Sequence, residues 1–124
     1  MNALLLLAHG SPRASANAAL ERLVERLRSR SDFAMVRVGY LECNEPSIPE
    51  AIDACVEAGA TDLVVVPWFL HVGTHVAQDL PAFLREGRER HSNVRFRLSD
   101  YVGLSPQVTG ILADRAAAIL QASE

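Results

Sequence analysis

Apolar residues fall into two kinds of pattern along this 124-residue chain. The first kind is the continuous run. Ala3 to Ala8 and Leu63 to Leu70 are uninterrupted, which predicts strands buried on both faces, as in the middle of a parallel sheet. Pro67 cannot donate to a ladder, so pairing should weaken toward the end of the second run. Met35 to Leu41 is a shorter β-rich run broken by Arg37 and Gly39, and predicts a less deeply buried strand. Val94, Phe96 and Leu98 alternate with Arg95 and Arg97, which predicts an edge strand with one wet face.

The second kind is the helical stripe. Leu20, Leu23, Val24 and Leu27 recur at helical spacing in a helix from about Ser15 to Arg30. Ile48, Ile52, Cys55 and Val56 form another stripe. Ser47 and Glu50 are spaced as a capping box at its start, and Gly59 is placed to end it. Asp79 is expected to cap a third helix, with Pro81 in its first turn, that runs to about Arg90. Ser105-Pro106 opens a last helix with Val108, Ile111, Leu112 and Ile119 facing inward. The order is βαβαβαβα. Right-handed crossovers turn that alternation into a four-stranded parallel sheet with helices on both faces, a three-layer α/β sandwich spanning 1–124 as one domain.

Every strand of such a sheet ends on the same edge, where ligands bind in open α/β folds. By chain order that edge collects His9, Glu42, Glu45, His71, His75, Asp100 and Tyr101. His91 lies beyond a helix end instead, where a structural role is expected. Neutral imidazoles on two different strand ends suit a borderline divalent metal such as cobalt, nickel, iron or zinc. They also suit proton transfer near neutral pH. Gly73 argues against a regular helix joining His71 to His75, and no Glu follows His71, so the HExxH pattern is absent. Gly10-Ser11 fits neither a Walker loop, nor GxGxxG, nor a GxSxG elbow. A histidine phosphatase would need an arginine directly before His9-Gly10, and that residue is Ala8.

Composition narrows the classes further. The chain is 49% hydrophobic and 22% charged with net charge -3, so it can build a core and its bulk charge offers nothing to nucleic acid. Its apolar runs are too short to span a bilayer. Leu4 to Leu7 has no basic flank before it and is followed by His9-Gly10-Ser11, unlike a signal peptide. Cys43 and Cys55 match neither CxxC nor a zinc ribbon, and are expected to be structural thiols in a reducing cytosol.

Three stretches together resemble a known family: Leu-Leu-Ala-His9-Gly-Ser; Leu41-Glu-x-x-Glu45-Pro-Ser-Ile-Pro; and Val-Val-Pro67-x-Phe-Leu-x-x-Gly73-x-His75-x-x-x-Asp79-x-Pro81. Across nearly the whole chain the pattern resembles the short sirohydrochlorin chelatases, class II tetrapyrrole chelatases of the CbiX type. The resemblance implies a flavodoxin-related, chelatase-like fold. It implies insertion of a divalent metal into sirohydrochlorin without ATP, in cobalamin or sirohaem synthesis. The metal substrate would be Co²⁺ by default, with Fe²⁺ or Ni²⁺ as alternatives and no further cofactor. A homodimer would rebuild the tandem domains of longer relatives. His9 would bind metal and accept a proton, and His75 would be the second ligand. Glu45 and the loop of Leu70, His71, Val72, Gly73 and Thr74 would contact the tetrapyrrole, with His71 either a third ligand or a pocket wall. The carboxylates of that substrate call for cations, which places Arg13, with Ser11 beside it, among the substrate-side candidates. The alternative is a non-catalytic module that carries a tetrapyrrole or a metal. No nucleic-acid or membrane partner is expected.

Overall fold

The computed structural model describes residues 1–122. Four parallel strands form one sheet in the order β2-β1-β3-β4, with β1 Asn2–Ala8, β2 Met35–Tyr40, β3 Asp62–Pro67 and β4 Arg95–Leu98. The two continuous apolar runs take the central positions and the two interrupted ones the edges, as their patterns predict. Leu4 and Leu6 pair with Val36 and Val38 on one side and with Val64 and Val66 on the other. Side chains alternate between faces along a strand, so this register sorts the core into two halves.

One half is closed by two helices. Leu5, Leu7, Leu63 and Val65 meet Ile48, Ile52 and Cys55 of α2 (Ile48–Glu57) and Leu80 and Leu84 of α3 (Thr74–Arg90). Full burial of each large aliphatic side chain contributes roughly 1.5–3 kcal/mol. Burial also pushes the Cys55 thiol pKa up, which keeps it a structural thiol. α2 starts on the expected capping box: the Ser47 hydroxyl accepts from Glu50 N–H, and the Glu50 carboxylate accepts from Ser47 N–H at 2.9 Å. Gly59, at φ 109°, follows its end in the left-handed conformation glycine tolerates.

The other half is covered by α1 (Ala14–Arg30), whose Leu20 and Val24 pack on Leu4, Leu6, Ala8, Val36 and Tyr40. That cover ends over β1 and β2. Val64 and Val66 on β3 share this face and are only half-buried, so β3 is not equally buried on both sides.

Three expectations need correction. The run to Leu70 is not one strand: β3 stops at Pro67, and Trp68 and Leu70 are 42% and 69% exposed. α3 begins at Thr74 with Gly73 as its N-cap, so Asp79 is internal and does not cap it. Pro81 then lies inside the helix, where it denies a donor to the Ala77 carbonyl; Ala77 is exposed, so water can take that role. Finally, α4 (Gln107–Gln121) buries none of its residues, although Val108, Ile111, Leu112 and Ile119 form the expected stripe. Val108 is half-buried, and Ile111, Leu112 and Ile119 are 55–77% exposed. α4 lies outside the three layers. A short 3₁₀ turn, Val102–Leu104, connects it to the sheet.

Candidate functional site

The parallel register carries straight into the edge chemistry. Past the strands, Leu41 N–H donates to Ala8 O at 2.9 Å and Glu42 N–H to His9 O at 3.0 Å. Trp68 N–H donates to Leu7 O at 2.7 Å on the other flank of β1. His9 therefore leaves the sheet between the segment of Glu42 and the segment that leads to His75. Its imidazole Nε2 lies 2.7 Å from Glu42 Oε1, with the two side chains 59% and 60% exposed.

The backbone beneath this pair is tightly built. Gly10 sits at φ 96°, and a Cβ there would fall 1.8 Å from Glu42 O, so only glycine lets the two segments approach. Cys43 has φ 67°, and Asn44 N–H donates back to Glu42 O at 2.8 Å. That bond across one residue is a γ-turn of the rare, strained hand. Strain of this kind persists only where surrounding bonds over-determine it. Here the Asn44 side chain supplies one, accepting from Ser11 N–H at 2.7 Å, and Asn17 in α1 donates to Ser11 O at 3.0 Å. The His9 loop is thus tied to the Glu42 loop through Asn44 and to α1 through Asn17.

The remaining candidates divide. Ser11 is half-buried and belongs to this network, with its hydroxyl accepting from Arg13 N–H at 3.1 Å. Arg13 is the exposed N-cap of α1, and among the described residues no carboxylate pairs with it. Leu70, His71, Gly73 and Thr74 are exposed and Val72 is half-buried, along the turn from β3 into α3. His75 is exposed on the first turn of α3, one residue past Thr74, rather than in a loop. Glu45 is exposed before the Pro46 bond and lines a different feature: a cavity of about 830 Å³ between α1, β2 and α2, also bordered by Arg22, Arg37 and Tyr40. No histidine lines that cavity, so we place the chemistry on the open edge. Asp100 is exposed and Tyr101 precedes the 3₁₀ turn. Among the described residues, no three His, Cys, Asp or Glu side chains lie close enough to hold a metal ion.

Two residues take roles that the sequence pattern did not assign: Glu42, known only as an edge carboxylate, and Trp68. Glu42 looks like any carboxylate after a strand until the γ-turn aims it at His9. Trp68, placed by its apolar run inside a strand, is an exposed aromatic beside the His9 loop; the signal available for it was Pro67 just before it.

Chemically, a carboxylate that accepts from one imidazole nitrogen leaves the other nitrogen its lone pair, in a fixed ring orientation. That is the arrangement of a histidine prepared to hold a cation or take up a proton. The molecule is thus an open-sheet α/β protein whose ligand edge carries oriented imidazole and no phosphate loop. The CbiX family model matches residues 3–119, and the chain belongs to that family. It is 37% identical over 91 residues to the sirohydrochlorin cobaltochelatase of Methanocaldococcus jannaschii, covering 73% of this chain and 64% of that protein. The crystal structure of the CbiX protein of Marinobacter aquaeolei VT8 superposes with a TM-score of 0.86 at 28% identity, covering 99% of this chain and 100% of that one. The sirohydrochlorin chelatase SirB of Bacillus subtilis subspecies spizizenii, solved in complex with cobalt, gives 0.86 at 26% identity over 95% of this chain and 50% of SirB. The chain therefore spans less than two thirds of the M. jannaschii protein and half of SirB. No helix among the described residues is long and apolar enough to cross a membrane.

Proposed function

We propose that this chain is a sirohydrochlorin chelatase: a single chelatase domain that inserts a divalent metal into the macrocycle without ATP, working as a homodimer in the cytoplasm. The observation that carries it is the oriented His9–Glu42 pair on the carboxyl edge of the sheet, next to the segment bearing His75, in a chain of the CbiX family. Insertion displaces two pyrrole protons, so a base must stand beside the metal. His9 holds the metal through the ring nitrogen that does not face Glu42. Once the ion has passed to the macrocycle, that freed nitrogen accepts one of the two pyrrole protons, and the other leaves to solvent at the open edge. Glu42 orients the ring and stabilises the imidazolium that forms. His75 is the second ligand. Two protein ligands leave positions open for the macrocycle nitrogens, whereas a saturated site would not release the ion. Glu45, Ser11, Arg13 and the segment Leu70 to Thr74 contact the tetrapyrrole, with Arg13 meeting its carboxylates and the exposed Trp68 offering an aromatic face. His71 lies in the same segment as a wall or a third ligand. The openness of the edge supports the pairing of two copies, since a single copy leaves His9 more than half exposed.

Co²⁺ is the metal we propose, because the M. jannaschii relative is named a cobaltochelatase and SirB was solved with cobalt. The test is anaerobic metallation of sirohydrochlorin followed by absorbance, with Co²⁺ and then Fe²⁺ and Ni²⁺. A rate well above the protein-free control supports the enzyme. Stoichiometric binding of the macrocycle without acceleration would replace it with the carrier.

A further inference from the structure

The outer edge of β2 is closed at two points and open between them. Backbone groups of an edge strand in a parallel sheet point outward at every second residue. On β2 these residues are Val36, Val38 and Tyr40. Arg28 Nη2 donates to Val36 O at 2.9 Å, and Tyr40 N–H donates to Pro46 O at 2.9 Å. Val38 lies between them, and among the described residues nothing bonds its outward N–H and C=O. An added strand would find only Val38 open, so this edge is poorly suited to a peptide. Val38 and Tyr40 both line the cavity of about 830 Å³ between α1, β2 and α2.

That cavity carries cations that lack partners. Arg22 and Arg26 of α1 are four residues apart, so they share a helix face, where like charges repel. Arg37 enters from β2, and its one side-chain hydrogen bond is Nε donating to Met35 Sδ at 3.1 Å. Among the described residues, no carboxylate lies within ion-pairing distance of any of the three, whereas Arg28 is paired with Glu25. Tyr40 is only 8% exposed, yet among the described residues its hydroxyl has no hydrogen-bond partner. A buried phenol ordinarily finds one. Burial and the nearby Glu21 carboxylate push its pKa up, so it stays a neutral donor. Val24, Val38 and Ala51 supply an apolar floor.

We infer that this cavity is a binding site for a small organic anion, an apolar ring carrying carboxylates, seated on the β2 edge between α1 and α2. One carboxylate bridges Arg22 and Arg26 and removes their repulsion. A second meets Arg37. The ring covers Val24 and Val38, and the Tyr40 hydroxyl donates to a ligand oxygen. Size and charge favour this occupant. The volume lies in the ordinary range for a small-molecule site, and an apolar floor with a few polar groups is the usual lining. Arginine forks suit carboxylates. Glu21 and Glu45 also border the cavity, so the positive surplus is small, and an inorganic anion without an apolar body would gain little. The inference is independent of the chelatase reading. No histidine lines the cavity, and Glu45 is the only residue proposed for the macrocycle that borders it.

The experiment is isothermal titration calorimetry of the full chain with terephthalate, a flat ring bearing two opposed carboxylates, with far-UV circular dichroism as the folding control. The wild type should bind one molecule per chain. Para-xylylene glycol, which keeps the ring and lacks the charge, should bind at least about tenfold more weakly. Arg22→Gln and Arg37→Gln should each weaken terephthalate by at least about tenfold, the effect of losing a hydrogen bond to a charged group. Tyr40→Phe leaves the ring in the core and should weaken it by about two- to tenfold. His9→Ala should bind as the wild type does. Absence of saturable binding to the wild type overturns the site, as does equal affinity for the glycol. Affinity unchanged in both arginine variants and in Tyr40→Phe overturns it too, since the probe would then lie elsewhere. Loss of binding in His9→Ala also overturns it by moving the probe to the metal edge. Metallation is not read here, so a failure of the chelatase reading leaves each of these outcomes intact.

Discussion

Two histidine–carboxylate pairs of almost equal length occupy different parts of the molecule: His9–Glu42 at 2.7 Å and His91–Asp53 at 2.6 Å. Distance does not tell them apart, but their surroundings do. Asp53 Oδ1 also accepts from Arg90 Nε and Nη2, and His91 is the C-cap of α3, its N–H donating to Gly87 O at 2.8 Å. The His91 side chain is 21% exposed. Every side-chain bond there joins α2 to the C-terminal end of α3, so the pair is a clamp. The His9 and Glu42 side chains have no such additional partners among the described residues, and each is about 60% exposed. Their rigidity comes from the backbone below, through Gly10 and the Cys43 turn. A histidine held by its backbone and open to solvent is free to meet a ligand. One enclosed by side chains is already committed to packing.

Substitutions can break this division. His9→Ala should slow metallation by about 10²–10⁴-fold, the range for loss of a positioned base. Its unfolding free energy should stay within about 0.5 kcal/mol of wild type, as for an exposed side chain. An active variant, or one that unfolds in step with its loss of rate, would put His9 in the clamp's category. Glu42→Gln should cost less, about 10–100-fold in metal affinity or rate, because it leaves the ring in place and removes only its orienting charge. Equilibrium Co²⁺ titration beside the rate assay checks this, and unchanged values in both would make the short contact incidental.

Of the His9–Glu42 pair, the sequence makes only one partner fully legible. Parallel topology alone assigns His9 to the ligand edge, because the position of a strand end does not depend on side-chain packing. The Ser47–Glu50 box was equally legible, since its two partners are three residues apart. Glu42 was not, because its aim depends on a γ-turn at Cys43, and a cysteine gives no local hint of positive φ. α3 starts earlier than Pro81 signals, because the exposed Ala77 carbonyl lets proline sit deeper than the first turn. For α4 the stripe reports that the helix has an apolar face. Periodicity does not say what covers that face, and the turn at Gly103, whose N–H donates to Phe69 O, is invisible without the fold.

The clamp offers the smallest and most discriminating effect. Burial pushes the Asp53 carboxyl up, but hydrogen bonds from His91 and Arg90, with their charges, outweigh it and hold the group below the ordinary carboxylate range. A carboxyl whose folded pKa lies under its unfolded one binds fewer protons when folded, so stability rises with pH between the two values. The contribution is complete above the unfolded value of about 3.9 and is lost as pH falls through the depressed folded value. Asp53 is 42% exposed, and solvent screening keeps its contribution under about 1 kcal/mol. In urea titrations, Asp53→Asn should therefore be less stable than wild type by up to about 1 kcal/mol at pH 7. The gap should narrow steadily below about pH 4, and metallation should be unaffected. A gap that holds constant down to pH 3 would assign the effect to packing in place of charge. A loss of metallation in this variant would mean that the two pairs are coupled through α3, which carries His75 at one end and His91 at the other.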